Sequence, residues 1–72
     1  MRAKINLITL TDCKEFIEAV QNVPGNITLE SDNDFRVNAK SFLGAMAATE
    51  WDNLWVNSET DIYRLINKWI IN

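Results

Sequence analysis

Few residues of this chain are of types that could carry out catalysis. The sequence contains no histidine, so neither a Ser-His-Asp nor a Cys-His arrangement can form. It also lacks a glycine-rich phosphate loop and the paired cysteines of a metal site. Cys13 is the one cysteine. It could be a nucleophile near a helix N-terminus, or a partly buried core residue, which is the interpretation we favour. We therefore expect a protein that is not an enzyme and that has no cofactor or metal ion.

Acidic residues cluster at one turn, where Glu30, Asp32 and Asp34 alternate with other residues. A calcium loop of the EF-hand type needs further ligands and a terminal Glu at fixed spacing. Leu43 occupies the position where that Glu would fall. We interpret the cluster as a solvated turn.

Ser41 is the side chain that we single out as a candidate site. It precedes a short run of helix-compatible apolar residues and stands where an N-cap hydroxyl belongs. A phosphate on this residue would meet free backbone N–H groups and the positive end of the helix dipole. The simpler interpretation is that Ser41 only caps the helix, and both interpretations stay open at this point.

Length and charge narrow the class of protein. The 72 residues suit a single domain over 1–72. The formal net charge of −3, with Lys and Arg scattered along the chain, disfavours nucleic acid as a direct partner. A single cysteine cannot staple a secreted domain, and no signal-peptide pattern or membrane-spanning stretch is present. We expect a cytoplasmic protein that does not associate with a membrane.

Apolar periodicity predicts the element order β-α-β-β-α-β-α. Strands are predicted at 4–8, 26–31, 35–38 and 54–56. The first helix is predicted to start at Asp12 as N-cap, with Glu15 completing a capping box, and to end at the Pro24-Gly25 pair. The second runs from Ser41 to about Ala48.

The closing helix is predicted to start at Ser58, supported by Asp61 three residues later. The apolar residues of two helices are expected to face the core: Phe16, Ile17, Val20 and Val23 of the first, and Ile62, Leu65, Ile66, Trp69 and Ile70 of the last. Gly44 inside the second helix suggests close packing. A sheet covered by helices on one face is the natural two-layer arrangement, an α+β fold.

The segment at 36–46 reads RVNAKSFLGAM. It resembles HPr, the small phosphocarrier of the bacterial sugar phosphotransferase system, whose pattern is V-N-[AGL]-K-S, two apolar residues, then G-x-M. Positions 16–17, 23 and 26–30 also follow the spacing of the first helix and second strand of that family. The resemblance implies an open-faced sandwich in which an antiparallel four-stranded sheet carries three helices on one face.

The N-terminal third departs from the HPr pattern. HPr proteins carry G-L-H-A-R-P-A at the start of the first helix, and the His accepts and passes on phosphate. In this chain Thr9 falls near the His position, Thr11 near the Arg and Asp12 near the Pro. Threonine phosphate esters are too stable for onward transfer, and Asp12 would repel phosphate. A phosphocarrier using a threonine or Cys13 would first require an exposed Cys13 of low pKa.

In HPr proteins of low-GC Gram-positive bacteria, a dedicated kinase phosphorylates the serine of this motif. The apolar residues that follow the serine form part of a docking patch for partner proteins. The resemblance implies that Ser41 is a phosphorylation site, and we expect Phe42 or Met46 to be exposed rather than Ala45. The partner-binding candidates are Phe42, Leu43, Met46, Lys40 and Trp51.

Three tryptophans complete the set of candidate residues. We expect Trp69 in the core, Trp55 on the helix-free side of the sheet, and Trp51 as a surface anchor. The leading hypothesis is a regulatory HPr-like protein, a monomer or weak homodimer, that binds an HPr kinase or a transcriptional regulator. The alternative is an HPr scaffold reused as a structural or oligomerisation module, with the tryptophans at its interface.

Overall fold

Short strands and helices follow one another along residues 1 to 71, which the computed structural model describes. The elements are β1 (Arg2–Ile5), α1 (Leu10–Val20), β2 (Ile27–Ser31), β3 (Arg36–Asn38), α2 (Phe42–Ala48), β4 (Leu54–Ser58) and α3 (Tyr63–Ile66). A 3₁₀ turn, Asn67–Trp69, continues α3. The predicted element order is confirmed.

The four strands form one open antiparallel sheet in the order β1-β4-β2-β3. Alternate residues of the two central strands are buried, so each strand has one face toward the helices and one face away from them. The buried residues are Ile27, Leu29, Ser31, Leu54, Val56 and Ser58. The predicted α+β class, with an antiparallel four-stranded sheet and three helices, is therefore confirmed.

The core lies between the sheet and the helices, and α1 supplies the largest of its fully buried side chains. Phe16 is fully buried and meets Trp69 edge to face, with ring centroids 5.5 Å apart and planes at 75°. Val20 of α1 and Ile66 of α3 are buried in the same cluster. Burial of such side chains is the main favourable contribution to folding in a domain of this size.

The start of α1 differs from the prediction, because Thr9 and not Asp12 is its N-cap. The Thr9 hydroxyl oxygen accepts a hydrogen bond from Asp12 N (3.0 Å), and the Asp12 carboxylate accepts from Ile8 N (3.0 Å) and Thr9 N (3.2 Å). Thr9 and Asp12 thus form the capping box, three residues earlier than predicted. These backbone bonds, that of Ile8 first, hold the pKa of Asp12 below its usual value.

The prediction that Ser58 caps the last helix is wrong. β4 extends to Ser58 because its backbone pairing with β2 continues to that residue, and Ser58 N also donates to Met1 O (2.8 Å). The helix begins only at Tyr63, whose N–H bonds the Asp61 carboxylate at 2.9 Å. Since α3 is a single turn that tightens into a 3₁₀ turn, its apolar stripe is broken and Leu65 is exposed.

The outer edge of β1 is partly covered by the segment that follows the 3₁₀ turn. Ile70 forms an antiparallel bridge with Ile5. Asn6 N donates to Trp69 O (2.9 Å) and Ile71 N donates to Lys4 O (3.0 Å). β1 is shorter at its end than the predicted 4–8, because after Ile5 the chain turns toward α1. No helix in the described part of the chain has the length and apolar character needed to cross a bilayer.

Candidate functional site

The N-terminus of α2 is held by Ser41. The backbone of Ser41 is extended, and its hydroxyl oxygen accepts a hydrogen bond from Gly44 N at 3.2 Å. The turn before it is fixed by Asn38, whose side-chain oxygen accepts from Lys40 N (2.9 Å) and whose carbonyl accepts from Ser41 N (3.1 Å). The predicted N-cap at Ser41 is confirmed. The Ser41 hydroxyl therefore lies at the N-terminal end of α2, beside the backbone amides of the first turn.

Gly44 lets α2 approach β3 closely, as predicted. A Cβ at this position would lie 3.0 Å from the carbonyl oxygen of Asn38 and 3.2 Å from the Cβ of Val37. Both neighbours belong to β3, and one of them is backbone that cannot easily move. The absence of a side chain at Gly44 therefore sets the distance between helix and sheet, and with it the position of Ser41.

The two sides of α2 differ sharply in burial. Ala45 and Ala48 are fully buried, whereas Phe42 is 42% exposed and Leu43 is 77% exposed. Met46 is half-buried. The expectation that Phe42 or Met46 would be exposed rather than Ala45 is confirmed for Phe42. Small residues form the inner stripe because α2 packs close to the sheet, so its large apolar side chains are left at the surface.

Lys40, a partner-binding candidate, is half-buried and bonded within the chain. Its ammonium group donates to the carbonyl oxygens of Val23 and Gly25, which lie in the connection after α1. Gly25 has a φ of +91°, a conformation that glycine adopts without strain. Lys40 therefore ties the loop between α1 and β2 to the start of α2.

The three tryptophans occupy three different environments. Trp69 is 8% exposed and belongs to the core, as predicted. Trp55 is half-buried; its indole N–H donates to the Asp32 carboxylate (2.9 Å), and the Arg2 guanidinium lies 4.2 Å from its ring centroid. Trp51 is also half-buried and stacks on a phenylalanine, Phe35. The tryptophans do not form one exposed surface, which weakens the idea of a shared tryptophan interface.

Thr9 and Cys13, two candidates for a phosphate acceptor in the HPr-like interpretation, both lie at the start of α1. The Thr9 hydroxyl is the α1 cap, and Cys13 is fully buried. Burial, followed by the nearby charge of Asp12, raises the pKa of the Cys13 thiol. The favoured interpretation of Cys13 as a core residue is confirmed, and the alternative of an exposed nucleophile of low pKa is contradicted by its burial.

The structure also brings together two aromatic residues that lie in separate loops. Phe35 follows the acidic turn and Trp51 follows α2, yet their rings stack with centroids 6.3 Å apart. Ile8 and Leu10, at the start of α1, are 71% and 60% exposed and were not predicted as surface residues. Leu10 falls outside the apolar stripe of α1, which was a sequence signal for its exposure. Ile8 precedes the helix and has the opposite parity to Ile5 and Leu7, the buried residues of the predicted first strand.

Loss of the Ser41 cap should weaken the domain measurably. We expect Ser41→Ala to lower the free energy of unfolding by about 1 kcal/mol, because Gly44 N loses its side-chain acceptor. Ser41→Asp should retain most of that stability, since aspartate is an equally good N-cap and its charge suits the helix N-terminus. Urea unfolding followed by circular dichroism measures both, with exposed Thr11→Ala as a control. Equal stability of Ser41→Ala and the unmodified protein would contradict a capping role.

No protein-family model, curated protein or solved structure matches this chain. The resemblance to HPr therefore stays a prediction from the motif around Ser41.

Proposed function

We propose that the chain is an HPr-like protein of the sugar phosphotransferase family that lacks histidine phosphocarrier activity and acts in the cytoplasm as a regulatory module that binds another protein. One observation carries the proposal: Ser41, at the cap of α2, is followed directly by two exposed apolar side chains, Phe42 and Leu43. A modifiable hydroxyl and an apolar docking surface thus lie side by side.

Ser41 is suited to carry a phosphate. Its oxygen already accepts a hydrogen bond from Gly44 N, and a phosphoryl group would add about −1.5 to −2 charges beside the first-turn amides. Negative charge is favourable at the N-terminus of a helix. The helix would therefore tolerate the modification, and the main change would be a new charge at the protein surface.

That charge would alter how a partner recognises α2. Exposed apolar side chains beside a charged group give an interface with an apolar centre and a polar rim. Phe42 is large enough to fill a pocket on a partner, and Leu43 widens the contact. A partner that carries basic residues would bind the phosphorylated form more tightly. An HPr kinase or a transcriptional regulator is the kind of partner that we propose.

The residues at the former phosphate site support a regulatory role over phosphate transfer. The chain has no histidine, and within the described residues Thr9 caps a helix while Cys13 is buried. Asp12 adds a negative charge at the start of α1. Hydrogen bonds from the Ile8 and Thr9 amides lower the pKa of this carboxyl group. Incoming phosphate would meet repulsion there rather than a nucleophile.

The alternative, a structural or oligomerisation module, draws on a different observation. Within residues 1 to 71, eight large apolar side chains are exposed, namely Ile8, Leu10, Phe35, Phe42, Leu43, Tyr63, Leu65 and Ile71. Exposed large apolar side chains, where they adjoin one another, often mark an interface between protein chains. Under this alternative the chain would self-associate without any modification of Ser41.

Incubation with an HPr kinase and ATP, followed by intact-mass measurement, tests the leading proposal. We expect one added phosphate on the unmodified protein and on Thr11→Ala, and none on Ser41→Ala. Circular dichroism establishes that each sample is folded. A folded protein that takes up no phosphate, or Ser41→Ala that still takes one up, would contradict the proposed role of Ser41.

Sedimentation velocity of the unphosphorylated protein separates the two proposals. A monomer or weakly associating species is expected for a regulatory module whose apolar surface binds a different protein. A stable dimer that Leu43→Glu dissociates would favour the oligomerisation module instead.

A further inference from the structure

A cleft of about 310 Å³ opens between the turn that joins β2 to β3 and the loop that joins α2 to β4. Its aromatic part is the stacked pair of Phe35 and Trp51, whose planes are inclined by 22°. Three carboxylates, those of Asp32, Glu50 and Asp52, two asparagine amides and Ser31 complete the lining. We call this feature the Trp51 cleft. Phe35 is 61% exposed, so one ring face is accessible at the mouth of the cleft.

The charges of the Trp51 cleft have one sign. No lysine or arginine lines it. Within residues 1 to 71 the one ion pair joins Lys68 and Glu15, on another part of the surface, so Glu50 and Asp52 take part in none. Arg2 and Lys4 influence the Asp32 carboxylate electrostatically, but neither lines the cleft.

The carboxylates differ in their availability to a ligand. Both oxygens of Asp32 accept hydrogen bonds, one from the Trp55 indole N–H at 2.9 Å and the other from the Asn53 amide. These bonds, with that of Trp55 first, hold the pKa of Asp32 below its usual value. Asp32 is therefore a fixed part of the wall, whereas Glu50 and Asp52 lie exposed in the loop after α2.

The combination of an aromatic pair and carboxylates in one lining favours an organic cation over a metal ion. Among the described residues, no three acidic, histidine or cysteine side chains lie close enough together to hold a metal. A guanidinium group is larger and planar, so its face can lie on an aromatic ring while its N–H groups reach separate carboxylates. An ammonium group is compact and strongly hydrated, so it binds less tightly to a surface that combines an aromatic ring with separate carboxylates.

We propose that the Trp51 cleft binds an arginine side chain of a protein partner, with the guanidinium against the Phe35–Trp51 pair and its N–H groups donating to Glu50 and Asp52. Charge complementarity supports this occupant, because the cleft is acidic throughout its charged lining and the whole chain carries a net charge of −3. The proposal depends neither on phosphorylation of Ser41 nor on the HPr resemblance.

A nuclear magnetic resonance titration with a blocked peptide, acetyl-Gly-Gly-Arg-Gly-Gly-amide, tests the proposal. The readout is the indole N–H resonance of Trp51, assigned with Trp51→Phe. We expect a saturable shift with a dissociation constant on the order of 1 mM, as suits contact by a single side chain. The same peptide with citrulline, which has the same shape without the charge, should bind at least about tenfold more weakly. The lysine peptide should also bind more weakly than the arginine peptide.

Two variants complete the test without disturbing the core. Glu50→Gln combined with Asp52→Asn should weaken binding by about fivefold or more, because both charged acceptors are lost. Glu18→Gln, an exposed change on α1, and Ser41→Ala should bind as the unmodified protein does. Equal binding of the citrulline or lysine peptide, unchanged binding by the double variant, or shifts centred on Trp55 in place of Trp51 would each overturn the proposal.

Discussion

Replacement of Phe16 by alanine is expected to lower the free energy of unfolding by about 3 to 5 kcal/mol. Phe16 is fully buried and forms the edge-to-face contact with Trp69 that joins α1 to the segment after α3. The substitution removes a large apolar surface and leaves a cavity that the neighbouring backbone cannot close. Because small domains have stabilities at the low end of about 5 to 15 kcal/mol, much of the protein should then be unfolded at 25 °C.

Urea unfolding of Phe16→Ala and Phe42→Ala provides the measurement. The two variants lose the same atoms, but Phe42 is 42% exposed, so its loss should cost about 1 kcal/mol or less. A similar cost at both positions would show that Phe16 is not at the centre of the core. If Phe16→Ala is already unfolded without urea, the shift in thermal midpoint of Phe16→Leu supplies a smaller, measurable effect in the same direction.

Gly44→Val is expected to destabilise the domain by about 1 to 3 kcal/mol through overpacking. The Cβ that valine adds would lie 3.0 Å from the carbonyl oxygen of Asn38, and the branched methyl groups would press further into β3. Separation of α2 from the sheet would also move Ser41, so we expect slower modification of this variant by an HPr kinase.

Ala47→Val is the matched control for this change. Ala47 lies on the same helix and is exposed, so valine there costs only the small difference in helix propensity, about 0.5 kcal/mol. Thermal unfolding of the two variants separates the cost of the contact with β3 from the cost in helix propensity. Equal midpoints for Gly44→Val and Ala47→Val would contradict the close approach of helix and sheet.

Much of the fold was predictable from local pattern. The alternation of Ile27 and Leu29 with polar residues identified β2, and Ser41 identified the start of α2. The errors arose where two signals competed. Thr9 and Asp12 are both good caps, and the choice of Thr9 depends on hydrogen bonds to Asp12 that only the folded turn shows. Likewise Ser58 has the residue type of a cap, but pairing of β4 with β2 takes precedence.

The candidate site was predictable only in part. The exposure of Phe42 was expected from the docking patch that the HPr resemblance implies, together with the limit that a short covering helix buries only one stripe. The stacking of Phe35 on Trp51 was not predictable, because the sheet order brings the two residues together and no repeat in the sequence does so. Side-chain clusters formed by two separate loops carry no periodic signal, so the Trp51 cleft is visible only in the folded chain.

The central position of β4 determines when the sheet can be completed during synthesis. β4 is the last strand in the chain, yet it pairs with both β1 and β2. A nascent chain that ends before Leu54 carries β1 without its strand partner and β2 with one edge unpaired, although the β2–β3 hairpin can form locally. Since distant pairing must overcome loop-closure entropy, assembly of the sheet waits for the last third of the chain. Until then the apolar faces of β1 and β2 are exposed to other chains or to chaperones.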